Sequence, residues 1–144
     1  MEKTTKPPGF TFAGLVPELY VSNLAASLHF WCDLSGFEVV FERPEEGFAY
    51  LDRHGRQVML EDVGVPGRHW ITGLLERPFG RGVNFQIDVP DVSAVAADFA
   101  RAGWPLYLLL ETKAYRTGDR ETVVRQFAAQ DPDGYLLRFS QNIA

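Results

Sequence analysis

Two stretches of this chain follow one plan, and that repetition restricts its fold more than any other feature. Setting Val21 on Val89 places Asn23 on Asp91 and Leu24 on Val92; a one-residue shift then sets Gly36 and Phe37 opposite Gly103 and Trp104. In each copy a strand pattern runs into a helical pattern that stops at a glycine. Three shorter strand patterns follow each helix. The simplest reading is an α+β fold of two tandem βαβββ modules. A chance match between two unrelated strand-helix pairs is the alternative, and it still leaves an α+β domain.

Within the first copy, "LVPELYV" alternates as a half-buried strand does, with Pro17 at an edge or loosely paired position. "SNLAASLHFWCDLSG" carries a Ser/Asn cap and places Leu24, Leu28, Trp31 and Leu34 at helical spacing, so one amphipathic helix is expected. "FEVVFE", "GFAYLD" and "RQVMLED" read as strands separated by turns at 44–47 and 53–56. Residues 63–81, rich in Gly and Pro, read as a long connection. The second copy then gives strand "VNFQIDV", helix "PDVSAVAADFARAG" and strands "WPLYLLLE", "VVRQFAAQD" and "YLLRFSQ". Module boundaries fall at about 14–63 and 82–141 of a single domain spanning 14–144, behind a flexible tail over 1–13.

The 144 residues are 46% hydrophobic, ample for one core. No apolar run approaches the roughly 20 residues that span a bilayer. The opening "MEKTTKPPGF" lacks the apolar stretch of a signal peptide, so a cytoplasmic protein is expected. A net charge of −5 argues against a nucleic acid or an anionic membrane surface as partner and favours a cationic ligand. Cys32 is the only cysteine, which excludes an intramolecular disulfide and a multi-cysteine zinc site and leaves it a packing role on the helix.

Three segments together, "LYVSNLAASLHFWCDLSGFEV", "FQIDVPDVSAVAADFARAG" and "RQFAAQDPDGYLLRFSQ", resemble the vicinal oxygen chelate superfamily of glyoxalases, extradiol dioxygenases and bleomycin resistance proteins. The resemblance runs from Leu15 to Gln141 and its final segment is most similar to the bleomycin resistance branch. It implies sheets that curve around a cavity, usually in a homodimer. It also implies four places for a divalent metal, which fall here on Val16, Met59, Asn84 and Arg138. A divalent cation needs anionic oxygens or imidazole nitrogens. Val16 supplies no donor, Met59 a soft thioether and Asn84 one neutral carbonyl, while the fixed positive charge of Arg138 repels a dication. No metal or other cofactor is expected. His29, His54 and His69 share no strand face and do not replace the missing ligands.

Alternation from those four places assigns further residues to the cavity side: Glu18 and Tyr20 on the first strand, Glu61 on the fourth, Gln86 and Asp88 beside Asn84. The opposite faces, with Leu19, Val21, Phe85, Ile87, Leu137 and Phe139, are apolar and should lie beneath the helices. Arg138 is expected to pair with Glu18, Glu61 or Asp88, or to hold a ligand carbonyl or carboxylate. Trp70, Phe79 and Trp104 lie in or beside loops and could flank a planar ligand, although Trp104 equally fits a core. A plain solvated sheet face is the competing explanation of the polar residues.

These residues lead to a metal-independent, non-catalytic binding protein that sequesters a small molecule, a cationic glycopeptide antibiotic of the bleomycin type. The alternatives are a metal-dependent glyoxalase- or dioxygenase-like enzyme using Glu61 with His69, and a metabolite-sensing domain.

Overall fold

A computed structural model of the protein describes residues 9–144. The chain divides between Glu76 and Arg77 into two compact units. The first contains β1 (Glu18–Val21), α1 (Leu24–Leu28), a π-helical continuation (His29–Leu34), β2 (Glu38–Arg43), a 3-10 turn (Pro44–Glu46), β3 (Phe48–Arg53) and β4 (Arg56–Asp62). The second contains β5 (Asn84–Asp88), α2 (Val92–Arg101), β6 (Leu108–Thr117), β7 (Arg120–Gln130) and β8 (Leu136–Asn142). Each forms one four-stranded mixed sheet, ordered β1-β4-β3-β2 and β5-β8-β7-β6. The outer pairs β1/β4 and β5/β8 are parallel. The fold is α+β, built of two βαβββ modules.

The repeat seen in the sequence has a physical basis at the helix starts. Asn23 accepts from the Ala26 backbone N–H and the matching Asp91 from that of Ala94, both at 3.1 Å. Each side chain satisfies one N–H that the first helical turn leaves without a partner. Sheet register extends the equivalence: Glu18 sits opposite Met59, and its counterpart Gln86 sits opposite Arg138. Met59 and Arg138 therefore occupy the same place in their modules.

One amphipathic α-helix was expected over 22–36; the observed segment is α-helical only to Leu28 and then winds more widely. This stretch buries the adjacent rings of Phe30 and Trp31 together with Leu34. Strand "WPLYLLLE" also differs from expectation. Residues 104–107 lie outside the strand, where Pro105 lacks a backbone donor, and β6 runs on to Thr117 to form a hairpin with β7. Residues 112–121 of that hairpin are exposed, so they carry no alternating apolar signal.

One face of each sheet is core. Val21, Leu51 and Leu60 are fully buried in the first unit. In the second, Phe99 of α2 lies 5.2 Å from Phe127 and 5.6 Å from Phe139, and the two strand rings stack at 5.1 Å. Phe79, expected as a possible ligand flank, is instead buried, its ring 6.0 Å from that of Tyr135.

The opposite face of the first sheet is covered by its own chain. Phe12 contacts Tyr50 and Phe41 edge-on at 5.4 and 6.4 Å, and Phe10 reaches Tyr50 at 6.3 Å. Gln57 donates to the Thr11 carbonyl and accepts from the Ala13 N–H, each at 2.8 Å. Of the flexible tail expected over 1–13, residues 1–8 lie outside the described residues, while 10–13 are packed on the sheet because the rings and Gln57 give them partners.

The Asp-Pro-Asp-Gly turn joins β7 to β8. Asp131, 4% exposed, accepts through Oδ1 from the backbone N–H groups of Asp133, Gly134 and Tyr135 at 3.0, 2.9 and 2.9 Å. Asp133 pairs with Arg77 at 2.9 Å. Gly134 has φ +106°, and a Cβ there would stand 2.5 Å from Pro78 Cβ and 2.6 Å from Pro78 Cα. Asp131→Ala should cost about 3 kcal/mol in urea unfolding at neutral pH, because the buried N–H groups of Asp133 and Tyr135 and the half-buried one of Gly134 lose a charged acceptor. Asp131→Asn, which keeps one oxygen, should cost clearly less. Equal losses would mean that the carboxylate oxygen is not what holds the turn.

Candidate functional site

The polar residues singled out in the first module meet at one end of its sheet. Tyr20 and Glu61 are in register on β1 and β4, with Phe48 next on β3 and Arg43 on β2. The Trp70 N–H donates to the Tyr20 hydroxyl at 2.7 Å, fixing the 67–70 loop beside this row. Glu18, one residue pair back on β1, shares this face with the Tyr20 hydroxyl and the Glu61 carboxyl. Glu18, Glu61 and Trp70 line a cleft of about 230 Å³ walled by two cation-ring pairs. Arg43 lies 3.9 Å over Phe48 and Arg68 4.1 Å over Trp70, whose indole is 65% exposed.

Burial raises the Glu61 carboxyl above its ordinary range, and the neighbouring Glu18 carboxyl adds to this. Burial likewise raises the Tyr20 hydroxyl, although the Trp70 N–H opposes it. The result is a pair of neighbouring carboxyls beside an exposed tryptophan, with the charged form of Glu61 disfavoured. His69 stands against Tyr20, its ring 5.4 Å away and edge-on.

In the second module Asn84, Gln86, Asp88 and Arg138 lie on one sheet face, and the three β5 side chains are exposed. Arg138 was expected to pair with a carboxylate; instead it donates through Nε to Asn84 Oδ1 and through Nη1 to Gln126 Oε1, both at 3.3 Å. Glu18 and Glu61 belong to the other unit, and Asp88 accepts from Gln86 Nε2 at 3.3 Å. Gln126, 2% exposed, turns its amide N–H groups to Glu111 Oε1 at 3.0 Å and the Tyr115 hydroxyl at 2.6 Å. It thereby links the guanidinium to a carboxylate through a neutral amide. Sequence reasoning missed Gln126, Glu111 and Tyr115; the signal was parity, since Gln126 and Ala128 share the face of Arg138.

Trp104 sits apart from these residues. Its indole N–H donates to the Gln130 carbonyl at 2.9 Å, and its ring lines a groove with Tyr107 and Pro132. Burial, helped by the charges of Asp33 and Glu38, pushes the Cys32 thiol up to about 11, which removes it as a nucleophile at neutral pH. His29 pairs with Asp33 at 2.9 Å and His54 sits in the β3–β4 turn with φ +48°.

The four places implied for a metal do not fit one. Val16 and Met59 pack against the buried cluster of Val40, Phe48 and Tyr50, where an unligated dication has no stabilising donor. Asn84 gives its carbonyl to Arg138. Among the described residues, no three His, Cys, Asp or Glu side chains are grouped to hold a metal ion.

The raised Glu61 carboxyl predicts a pH dependence with a definite sign. A carboxyl whose folded-state pKa lies above the unfolded one stabilises the fold below the unfolded pKa, and this contribution is lost as pH rises through the folded value. Glu61→Gln should therefore melt higher than the wild type at pH 7 to 8, and the gain should shrink toward pH 4. A gain independent of pH would show that burial does not raise the Glu61 carboxyl.

The profile of the glyoxalase/bleomycin resistance protein/dioxygenase superfamily matches residues 13–139. A superfamily member of known structure from Vibrio splendidus 12B01 is 42% identical over 88% of this chain and 95% of its own, with a TM-score of 0.40. TioX from Micromonospora sp. ML1 is 21% identical over 91% and 99% of the two chains, with a TM-score of 0.71. A lactoylglutathione lyase from Agrobacterium tumefaciens is 19% identical over 94% and 96%, with a TM-score of 0.57. No curated protein matches the chain. With its two βαβββ modules and a profile match over nearly its whole length, the chain belongs to the glyoxalase/bleomycin resistance protein/dioxygenase superfamily.

Proposed function

We propose that this protein binds a small molecule without a resident divalent metal and acts by stoichiometric capture. One observation carries the reading: the four metal places are committed to other uses, two in an apolar cluster and two partly to each other, while polar groups remain around them. Capture needs only binding energy, with no group required to stabilise a transition state.

The ligand we propose is a cationic glycopeptide antibiotic of the bleomycin type. Charge distribution supports it. Residues 77–144 carry eight Lys and Arg against eight Asp and Glu, so the whole net charge of −5 resides in the first unit, which also holds Glu18, Glu61 and Trp70. An acid pair beside an exposed indole attracts an organic cation through charge and ring face together. A homodimer acting in the cytoplasm completes the proposal. No helix among the described residues is long and apolar enough to cross a membrane.

Calorimetric titration of chelator-treated protein with copper-loaded bleomycin tests this reading. Saturation at one ligand per chain is expected, with affinity reduced about tenfold, or about 1.4 kcal/mol, in a Glu18→Gln/Glu61→Gln variant. Absence of saturable binding removes this antibiotic as ligand.

A further inference from the structure

We infer that the polar face of the second module carries a binding position for a carboxylate or similar planar oxyanion, centred on the guanidinium of Arg138. The inference rests on the reading of that face as a metal-free ligand surface, but not on the identity of the antibiotic.

Sister-module geometry shows that the fold does not require an arginine here. The equivalent residue, Met59, faces Glu18 as Arg138 faces Gln86, and it packs in an apolar cluster. An apolar side chain thus fills this register position in the same topology, and a half-buried charge needs another reason.

Arg138 is also anchored rather than neutralised. Asn84 and Gln126 take one N–H each from Nε and Nη1. Neither is charged. Among the described residues, no carboxylate lies within ion-pair distance of the guanidinium. The acids on the same face are engaged elsewhere, Asp88 by Gln86 and Glu111 by Gln126. Gln126 is held from its amine side by Glu111 and Tyr115, so its oxygen is the end presented to Arg138. A fork fixed by two neutral acceptors keeps further N–H groups for an incoming oxyanion, and a planar fork matches a carboxylate in geometry as well as charge.

The surroundings agree with an anionic group. Beside Arg138 in register stand the small Ala128 on one strand and the exposed Gln86 on the other. The second unit is electrically balanced, so its own net charge does not repel an anion.

The test uses the full chain and two small probes, benzoate and its neutral analogue benzamide, followed by nitrogen-proton NMR at low chloride. The Nε–H resonance of Arg138 is identified by its loss in Arg138→Met, which installs the residue type found at the sister position. Benzoate should shift this resonance and the Gln126 side-chain amide saturably in the millimolar range; benzamide should not. Arg138→Met should abolish the Gln126 shift, and Arg138→Lys should retain it with several-fold weaker affinity. No saturable shift with benzoate, equal shifts with benzamide, or a Gln126 response that survives Arg138→Met would overturn the inference. The benzoate-benzamide comparison on the unaltered chain decides it even where a variant folds poorly. Benzoate binding without copper-bleomycin binding removes only the antibiotic, and the reverse removes only this position.

Discussion

The carboxylate of Asp131 sets much of the second module, because three consecutive backbone N–H groups converge on one of its oxygens. That turn delivers the chain from β7 into β8, which lies between β7 and β5. Side-chain direction along a strand has a period of two, so a slip of one residue would carry every β8 side chain to the wrong face. Holding the turn keeps Phe139 against Phe99 and Phe127 and keeps Arg138 on the other side with Asn84 and Gln126. Core packing and the polar network are thus tied to the same few bonds. The Arg77–Asp133 pair and the close approach of Gly134 to Pro78 fasten the entry to the module onto that turn.

The two modules share a topology and a register yet use their second faces differently. In the first, Phe10 and Phe12 cover Tyr50 and Phe41, and the 67–70 loop is fastened to Tyr20 beside the cleft that Glu18 and Glu61 line. In the second, Asn84, Gln86 and Asp88 remain exposed beside the guanidinium. A raised Glu61 carboxyl is the consequence of the first arrangement, since its burial disfavours the charged form and the neighbouring Glu18 adds to this. Amide bridging by Gln126 is the consequence of the second, since a neutral group separates Arg138 from Glu111.

Much of this was legible in the sequence where burial imposes a period. The helix caps at Asn23 and Asp91, the alternation of β5 and β8, and the apolar faces of Leu19, Val21, Leu137 and Phe139 all follow from residue type and spacing. Polar stretches without a buried face were not. The distal part of the β6–β7 hairpin is exposed on both sides and held by backbone bonds, which residue type does not record. Contacts between distant segments were equally hidden: nothing near Phe10 announces Tyr50, and nothing near Arg138 announces that Gln126 intervenes before Glu111. Arginine at position 138 was visible, and its lack of a direct carboxylate partner among the described residues was not.

The covering of the first sheet by Phe10 and Phe12 has a consequence for how such a chain tolerates change over time. Rings that seal a sheet face turn it into interior, where substitutions are judged by volume and packing. The exposed β5 side chains of the second module, Asn84, Gln86 and Asp88, carry no such obligation, since surface substitutions alter stability little. Two copies of one plan are therefore held to different standards: the first strand of the second module is left free to adapt to whatever it meets, where the covered face of the first module is constrained by folding.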